Sequence, residues 1–309
     1  MVRLLVLAAL LAVAPVAAVP ATSPVVLLHH PFDQVDPFGV PFGSGDTFSS
    51  RYGAVAAQTG RFDFPVFVAD GLGPIQQLPD PKRPFEGTLE AYAAAAQERA
   101  GHEAPVALAL KASDDGGRAT VMVRSHASGV VQDPQGQPIH LWLAVVEDAI
   151  HYQPPAPVSN GVTDHRFTVR SLVDEGAVPL TSWDRTFTLA LPGGWAREHL
   201  SVAAWLQAGP VAGRFQPSEV VQVVSAPLDG VERLQSGKGV LLEGYSATWC
   251  APCLYGDLAL ERLAIQSGAA QPLVPVGATY WKAPSQPVLI LGLAVVAGGV
   301  GFVAARRRP

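Results

Sequence analysis

Cysteine is almost absent from this chain, with two residues in 309, Cys250 and Cys253. A disulfide framework of the kind that staples small exported domains scatters cysteines along the sequence, so that architecture is excluded. Charge is also sparse. Charged residues make up 15%, the net charge is −5, and the one cationic cluster is Arg306-Arg307-Arg308. A polyanion-binding face needs clustered Lys and Arg, so nucleic acid is excluded as a partner. None of the eight histidines falls in His-x-x-x-His spacing, so a zinc site built on the cysteine pair lacks its other two ligands. Asp133, Glu147 and Asp164 show no regular oxygen-ligand spacing for calcium. No metal and no cofactor is expected. Glycine and proline are plentiful, 30 and 28 residues, which favours turns and short strands over a helical bundle.

The two ends suggest a compartment. A short basic start at Arg3, a Leu/Ala/Val run over residues 4–13 and small residues at Ala17, Ala18 and Ala21 follow the pattern of a secretory signal, expected over residues 1–21. Residues 288–305 carry no charge and end on the three arginines. That pattern predicts a transmembrane helix over 287–305 and a cytoplasmic tail over 306–309, with the rest outside by the positive-inside tendency. The expected location is the cell membrane, single-pass, with an extracytoplasmic ectodomain.

The cysteines stand in Ser246-Ala247-Thr248-Trp249-Cys250-Ala251-Pro252-Cys253. A disulfide closing so short a loop stabilises a fold by only about 2 kcal/mol in the chain-entropy model, so a structural staple is a weak use of the pair. Val240-Leu241-Leu242 reads as a short strand. Residues 254–265 read as an amphipathic helix, with Leu258, Leu260, Leu263 and Ile265 set among Asp257, Glu261 and Arg262. The pair therefore lies at a strand-to-helix junction, where unpaired N–H groups and the helix dipole stabilise a thiolate. In that reading Cys250 attacks and Cys253 resolves the mixed disulfide.

Further strands are expected at residues 24–29 and 65–71, the second running into a turn. Helices are expected at 46–58 and 88–100, and one more strand at 273–280. Between them, 106–111, 119–124, 139–147, 166–171, 186–191 and 200–206 read as strands of an immunoglobulin-like sandwich, with Asp114-Asp115-Gly116-Gly117 as a hairpin turn. Trp142, Trp183, Trp195 and Trp205 read as packing residues. His29-His30 reads as a strand end near the redox cleft.

Tyr52-Gly53, Phe64-Pro65-Val66-Phe67-Val68 and Asp70-Gly71 resemble the part of a thioredoxin fold that carries a cis-proline loop. That resemblance implies that Pro65 faces the cysteine pair and helps hold a substrate peptide. Residues 245–253, residues 30–71 with Asp36-Pro37-Phe38, and residues 141–170 with Val145-Val146-Glu147-Asp148 and His165-Arg166-Phe167-Thr168-Val169-Arg170 together resemble the outer membrane protein 28 family. That family couples a thioredoxin-like module to a β-sandwich. Its cysteine pair comes first, whereas here it comes last, so the resemblance implies circular permutation. Glu243, seven residues before Cys250, lies near the place where thioredoxins carry a buried proton-moving acid.

The fold expected from the sequence is thus an α/β thioredoxin-like domain, permuted and discontinuous over 22–103 and 229–286. An all-β immunoglobulin-like sandwich is inserted over 104–228, and a C-terminal transmembrane helix follows. The expected function is thiol–disulfide exchange through Cys250, Cys253, Pro65 and Glu243. Its partners are thiols or disulfides of exported proteins, or a membrane redox partner. The alternative is a non-enzymatic surface binding or assembly module with a permanent disulfide.

Overall fold

The computed structural model describes residues 19–20, 25–31, 66–74, 84–127, 138–151, 162–208, 219–246, 250 and 253–267. The strands are β1 (Val19–Pro20), β2 (Val25–Pro31), β3 (Val66–Ala69), β4 (Leu72–Pro74), β5 (Ala107–Asp114), β6 (Arg118–His126), β7 (Ile139–Glu147), β8 (Ile150–His151) and β9 (Asp164–His165). They continue with β10 (Thr168–Val178), β11 (Trp183–Ala190), β12 (Leu200–Ala208), β13 (Val220–Pro227), β14 (Arg233–Gln235) and β15 (Val240–Ser246). The α-helices are α1 (Pro84–Ala100) and α2 (Cys253–Ser267).

Five strands form one sheet in the order β1-β14-β5-β6-β11, and eight form a second in the order β13-β12-β7-β10-β2-β15-β3-β4. The β5–β6 hairpin turns where the sequence predicts, with Gly116 and Gly117 at φ of 74° and 119°. The β3–β4 hairpin turns on Asp70-Gly71, both at positive φ, as a two-residue Asp-Gly turn requires. In the large sheet β2 runs parallel to both β10 and β15, and the remaining pairs are antiparallel.

Alternation along the strands sends side chains to two faces. On one face Leu141, Leu143, Val145, Val202, Ala204 and Leu206 pack on Leu108, Leu110, Val121 and Val123 of the five-stranded sheet. Register puts Thr168 beside both Glu147 and His29, so Val25 and Leu27 belong to that same face further along the sheet. There the cover changes from strands to helices. Val25, Leu27, Phe67, Val240 and Leu242 pack against Tyr92 and Ala96 of α1 and Ala259, Leu260 and Leu263 of α2.

The opposite face gathers Val26, Leu28 and Leu241 with Ala144, Val146, Ala203, Trp205 and Val223. These residues come from strands far apart in the sheet order, so the sheet rolls toward itself. Its ends are fastened by hydrogen bonds: Val220 N–H donates to the Asp70 carbonyl at 2.9 Å, Lys238 Nζ to the Val220 carbonyl at 2.6 Å, and Gly239 N–H to Gln222 Oε1 at 2.8 Å. Trp205 is fully buried in this cluster and stacks on Trp142, the packing role expected for both.

This architecture corrects the expected fold class. The described residues are mostly β, with two α-helices, and do not form an α/β thioredoxin fold carrying an inserted sandwich. The physical reason lies in β2 and β15. Val25-Val26-Leu27-Leu28 and Val240-Leu241-Leu242 are apolar on both faces, which demands cover on both sides. A thioredoxin-like domain covers both with helices. Here α1 and α2 share one face, and the rolled sheet fills the other. No helix among the described residues is long and apolar enough to cross a membrane, a statement that does not extend to strands. Residues 1–18, the helix expected at 46–58, the strand expected at 273–280 and the segment 287–305 lie outside the described residues.

Candidate functional site

Strand β15 ends at Ser246 and α2 begins at Cys253, so the expected strand-to-helix junction is present. Cys250 and Cys253 are joined by a disulfide, with Cα atoms 5.3 Å apart. The Cys253 N–H donates to the Cys250 carbonyl at 3.0 Å, tying the two backbones together where the helix starts. Cys253, rather than Cys250, is the first helical residue. It is fully buried, and Cys250 is 4% exposed.

Helix α2 lies close on the sheet because two glycines permit it. A Cβ on Gly256 would stand 2.3 Å from Phe67 Cζ, and one on Gly244 would stand 2.7 Å from Leu260 Cδ1. Gly244 therefore faces α2, and by alternation so does Ser246, while Glu243 and Tyr245 turn the other way. Glu243 is buried on that other face. Its Oε1 accepts from the Tyr245 hydroxyl at 3.2 Å and lies 3.2 Å from His30 Nε2, and His30 stacks on Tyr245. The acid expected from the thioredoxin resemblance thus belongs to a buried His30-Glu243-Tyr245 group on the sheet face away from α2. Pro65 lies outside the described residues, immediately before β3.

The carboxyl on the helix side is Asp257, one turn after Cys253. Its side chain is one-tenth exposed and lies 3.6 Å, through Oδ1, from His29 Nε2. Burial pushes the Asp257 carboxyl up to about 8, and hydrogen bonding with Ser246 offsets only part of that rise. Burial, with the neighbouring His165 and His30, drives His29 down to about 3, against the raising effect of a hydrogen bond to the Arg166 backbone. At neutral pH the group therefore holds a protonated Asp257 and an uncharged His29. His29 Nε2 lies 2.5 Å from Ser246 Oγ. With the ring donating to the Arg166 carbonyl, Nε2 is assigned as acceptor of the Ser246 hydroxyl. The residue types are those of a hydrolytic triad, but the geometry is not. Ser246 and Asp257 both approach the same ring nitrogen, so no carboxylate stands behind a serine-activating imidazole.

A cavity beside this group is lined by His29, Asp164, His165, Arg166, Asp257 and Glu261, among others. Arg166 is already engaged. Its Nε and Nη2 grip Asp148 at 2.5 and 2.6 Å, and its Nη1 reaches Glu261 of α2 at 3.4 Å. Arg170 pairs with Glu147 at 2.6 Å in the same way. The charged residues of the 145–148 and 165–170 motifs thus serve each other, pinning β7, β10 and α2 together. No group of His, Cys, Asp and Glu among the described residues could hold a metal ion. The position of Asp257 was readable in principle, because residues four apart share a helix face and Cys253 to Asp257 is such a pair.

No protein-family model matches the chain, and no curated protein matches it. Solved structures similar to it include HBP35 of Porphyromonas gingivalis, at 14% identity and a TM-score of 0.43, covering 60% of this chain and 59% of that one. A domain of the outer membrane lipoprotein Omp28 from Porphyromonas gingivalis is 18% identical, with a TM-score of 0.26, over 40% of this chain and 88% of that one.

Proposed function

We propose that the chain is an extracytoplasmic thiol–disulfide oxidoreductase of the outer membrane protein 28 type, acting at the cell membrane through Cys250 and Cys253. Its partners are thiols or disulfides of exported proteins, or a membrane redox partner. The observation that carries this reading is the disulfide between the chain's two cysteines at the start of α2. The bond closes too short a loop to stabilise the fold by more than about 2 kcal/mol, and it sits where a helix N-terminus favours a thiolate. Cys250 is the sulfur a client attacks, because Cys253 is fully buried. Pro65, next to β3, is assigned to the client-binding side by the same reading.

A second reading, a binding or assembly module with a permanent disulfide, is favoured by the burial of both cysteines. The reduction potential separates the two. Equilibration against glutathione or dithiothreitol buffers is expected to give a value between about −270 and −120 mV, the range of dithiol oxidoreductases, whereas a value below about −300 mV marks a locked structural bond. Cys253→Ser is expected to accumulate a mixed disulfide through Cys250, seen as a mass shift that dithiothreitol reverses. Cys250→Ser is expected to accumulate none. Full exchange activity in Cys250→Ser rules the mechanism out.

A further inference from the structure

We propose that β11 is an interface between two copies of this chain, which pair edge to edge in antiparallel register about Phe187 and join their five-stranded sheets into one. Strand β11 lies in the sheet that does not carry the cysteine pair, so its pairing does not depend on the exchange reading above.

The sheet edges single out β11. In the large sheet the end strands β13 and β4 are fastened to each other through Val220 N–H and the Asp70 carbonyl. In the five-stranded sheet β1 is two residues long, whereas β11 is eight residues long and, among the described residues, pairs on one side only, with β6. Leu191 N–H donates to the Gly117 carbonyl, continuing the register in which β11 pairs with β6. Bonded and non-bonded pairs alternate along an antiparallel ladder, so Trp183, Arg185, Phe187 and Leu189 bond to β6. Asp184, Thr186, Thr188 and Ala190 therefore turn their N–H and C=O groups away from the sheet, and their side chains are exposed. Unpaired edges are ordinarily blunted by a bulge, a proline, a lysine or an inward-pointing charge. Strand β11 runs without a register shift and contains no proline, glycine or lysine. Its one inward charge, Arg185, lies over the Trp183 ring, 5.7 Å from the centroid, and is thereby drawn along the strand rather than across the edge.

The strand is its own complement. A twofold axis through Phe187, perpendicular to the sheet, pairs all of the outward-turned residues: Asp184 with the partner's Ala190, Thr186 with the partner's Thr188, and the same pairs in reverse. About eight backbone hydrogen bonds follow from that register. On the inner face Phe187 meets the partner's Phe187 in a non-hydrogen-bonded pair, the closer kind, and Arg185 stands opposite the partner's Leu189. Neither charge of the strand meets its like, and Asp184 is already paired with Arg124 at 2.8 Å. A twofold through Arg185 would instead set two guanidinium groups opposite each other. The pairing also covers apolar surface, since Trp183 and Phe187 pack on the core but are only partly buried.

The test is sedimentation equilibrium of the full chain in a non-ionic detergent between about 1 and 100 µM, where an edge pair smaller than a standard interface is expected to associate. The wild-type protein is expected to shift from monomer to dimer across this range. Thr186→Lys/Thr188→Lys sets lysine opposite lysine in the paired state, and Thr186→Glu/Thr188→Glu does the same with glutamate. Each is expected to weaken self-association by about tenfold or more. An equimolar mixture of the two variants is expected to recover the dimer, since every opposed pair at these positions is then Lys with Glu, and that recovery also shows that both variants fold. A wild-type chain that stays monomeric overturns the proposal and leaves the edge to an extended strand of another protein. A dimer that the charge variants do not weaken, or variants that do not recombine, overturns it as well, because the copies then meet elsewhere or in another register.

Discussion

Asp70 shows how much one side chain can carry in this protein. Its φ of 50° makes the β3–β4 turn, its Oδ1 accepts from Leu241 N–H at 2.7 Å, its carbonyl accepts from Val220 N–H, and its Oδ2 lies 2.8 Å from Lys238 Nζ. Asp70 and Lys238 are both buried, so removing one leaves the other charge unpaired. Asp70→Ala is expected to cost about 3–5 kcal/mol in urea unfolding, and the double variant Asp70→Ala/Lys238→Met less than the sum of the two single changes. The turn was legible in the sequence because Asp-Gly between apolar runs has a local cause. The ion pair was not, because its partner lies far along the chain and nothing local marks it. The cysteine pair was legible for the opposite reason, since two cysteines three positions apart in an otherwise cysteine-free chain leave no other pairing. Glu243 is a buried acid, as the thioredoxin resemblance implies, but a one-residue difference in strand parity sets it on the face away from α2.

Among the elements, α2 depends most on a missing side chain. Alanine is the better helix former by about 1 kcal/mol, so an exposed Gly256→Ala would stabilise the helix. Here the added methyl would collide with the Phe67 ring, which also packs on Tyr92. Gly256→Ala is expected to lower stability by about 1–3 kcal/mol in thermal unfolding, and the added change Phe67→Leu to recover part of the loss. The helix itself was legible from its 3.6-residue period, and α1 from its Ala/Glu-rich composition. Strands β2 and β15 were legible as strands, but their doubly apolar character did not say what would cover them. Two helices on one face and a rolled sheet on the other satisfy that demand as fully as helices on both, and only long-range pairing decides between them.

For the whole molecule, the buried His29 and Asp257 give stability a pH dependence with opposing signs. His29 is held down to about 3, so between that value and its ordinary 6.5 the unfolded chain binds more protons and stability rises with pH. Asp257 is held up to about 8 from an ordinary 3.8, so across that interval the folded chain binds more protons and stability falls as pH rises. From about pH 4 to 6.5 the two slopes oppose each other. Above 6.5 Asp257 acts alone, and its contribution declines by about 1.4 kcal/mol per pH unit until its folded-state value is reached. Urea midpoints are expected to drop between pH 6.5 and 8 in the wild-type protein and to stay level in Asp257→Asn. The parallel pairing of β2 with β15, Val25 beside Val240 through Pro31 beside Ser246, has a consequence for biosynthesis. Among the described strands β2 is made early and β15 last, so during synthesis β2 lacks this neighbour, and an apolar strand left unpaired is open to aggregation. The cysteines follow β15 directly in the sequence, so until β15 has paired with β2 the redox pair has no seat on the sheet.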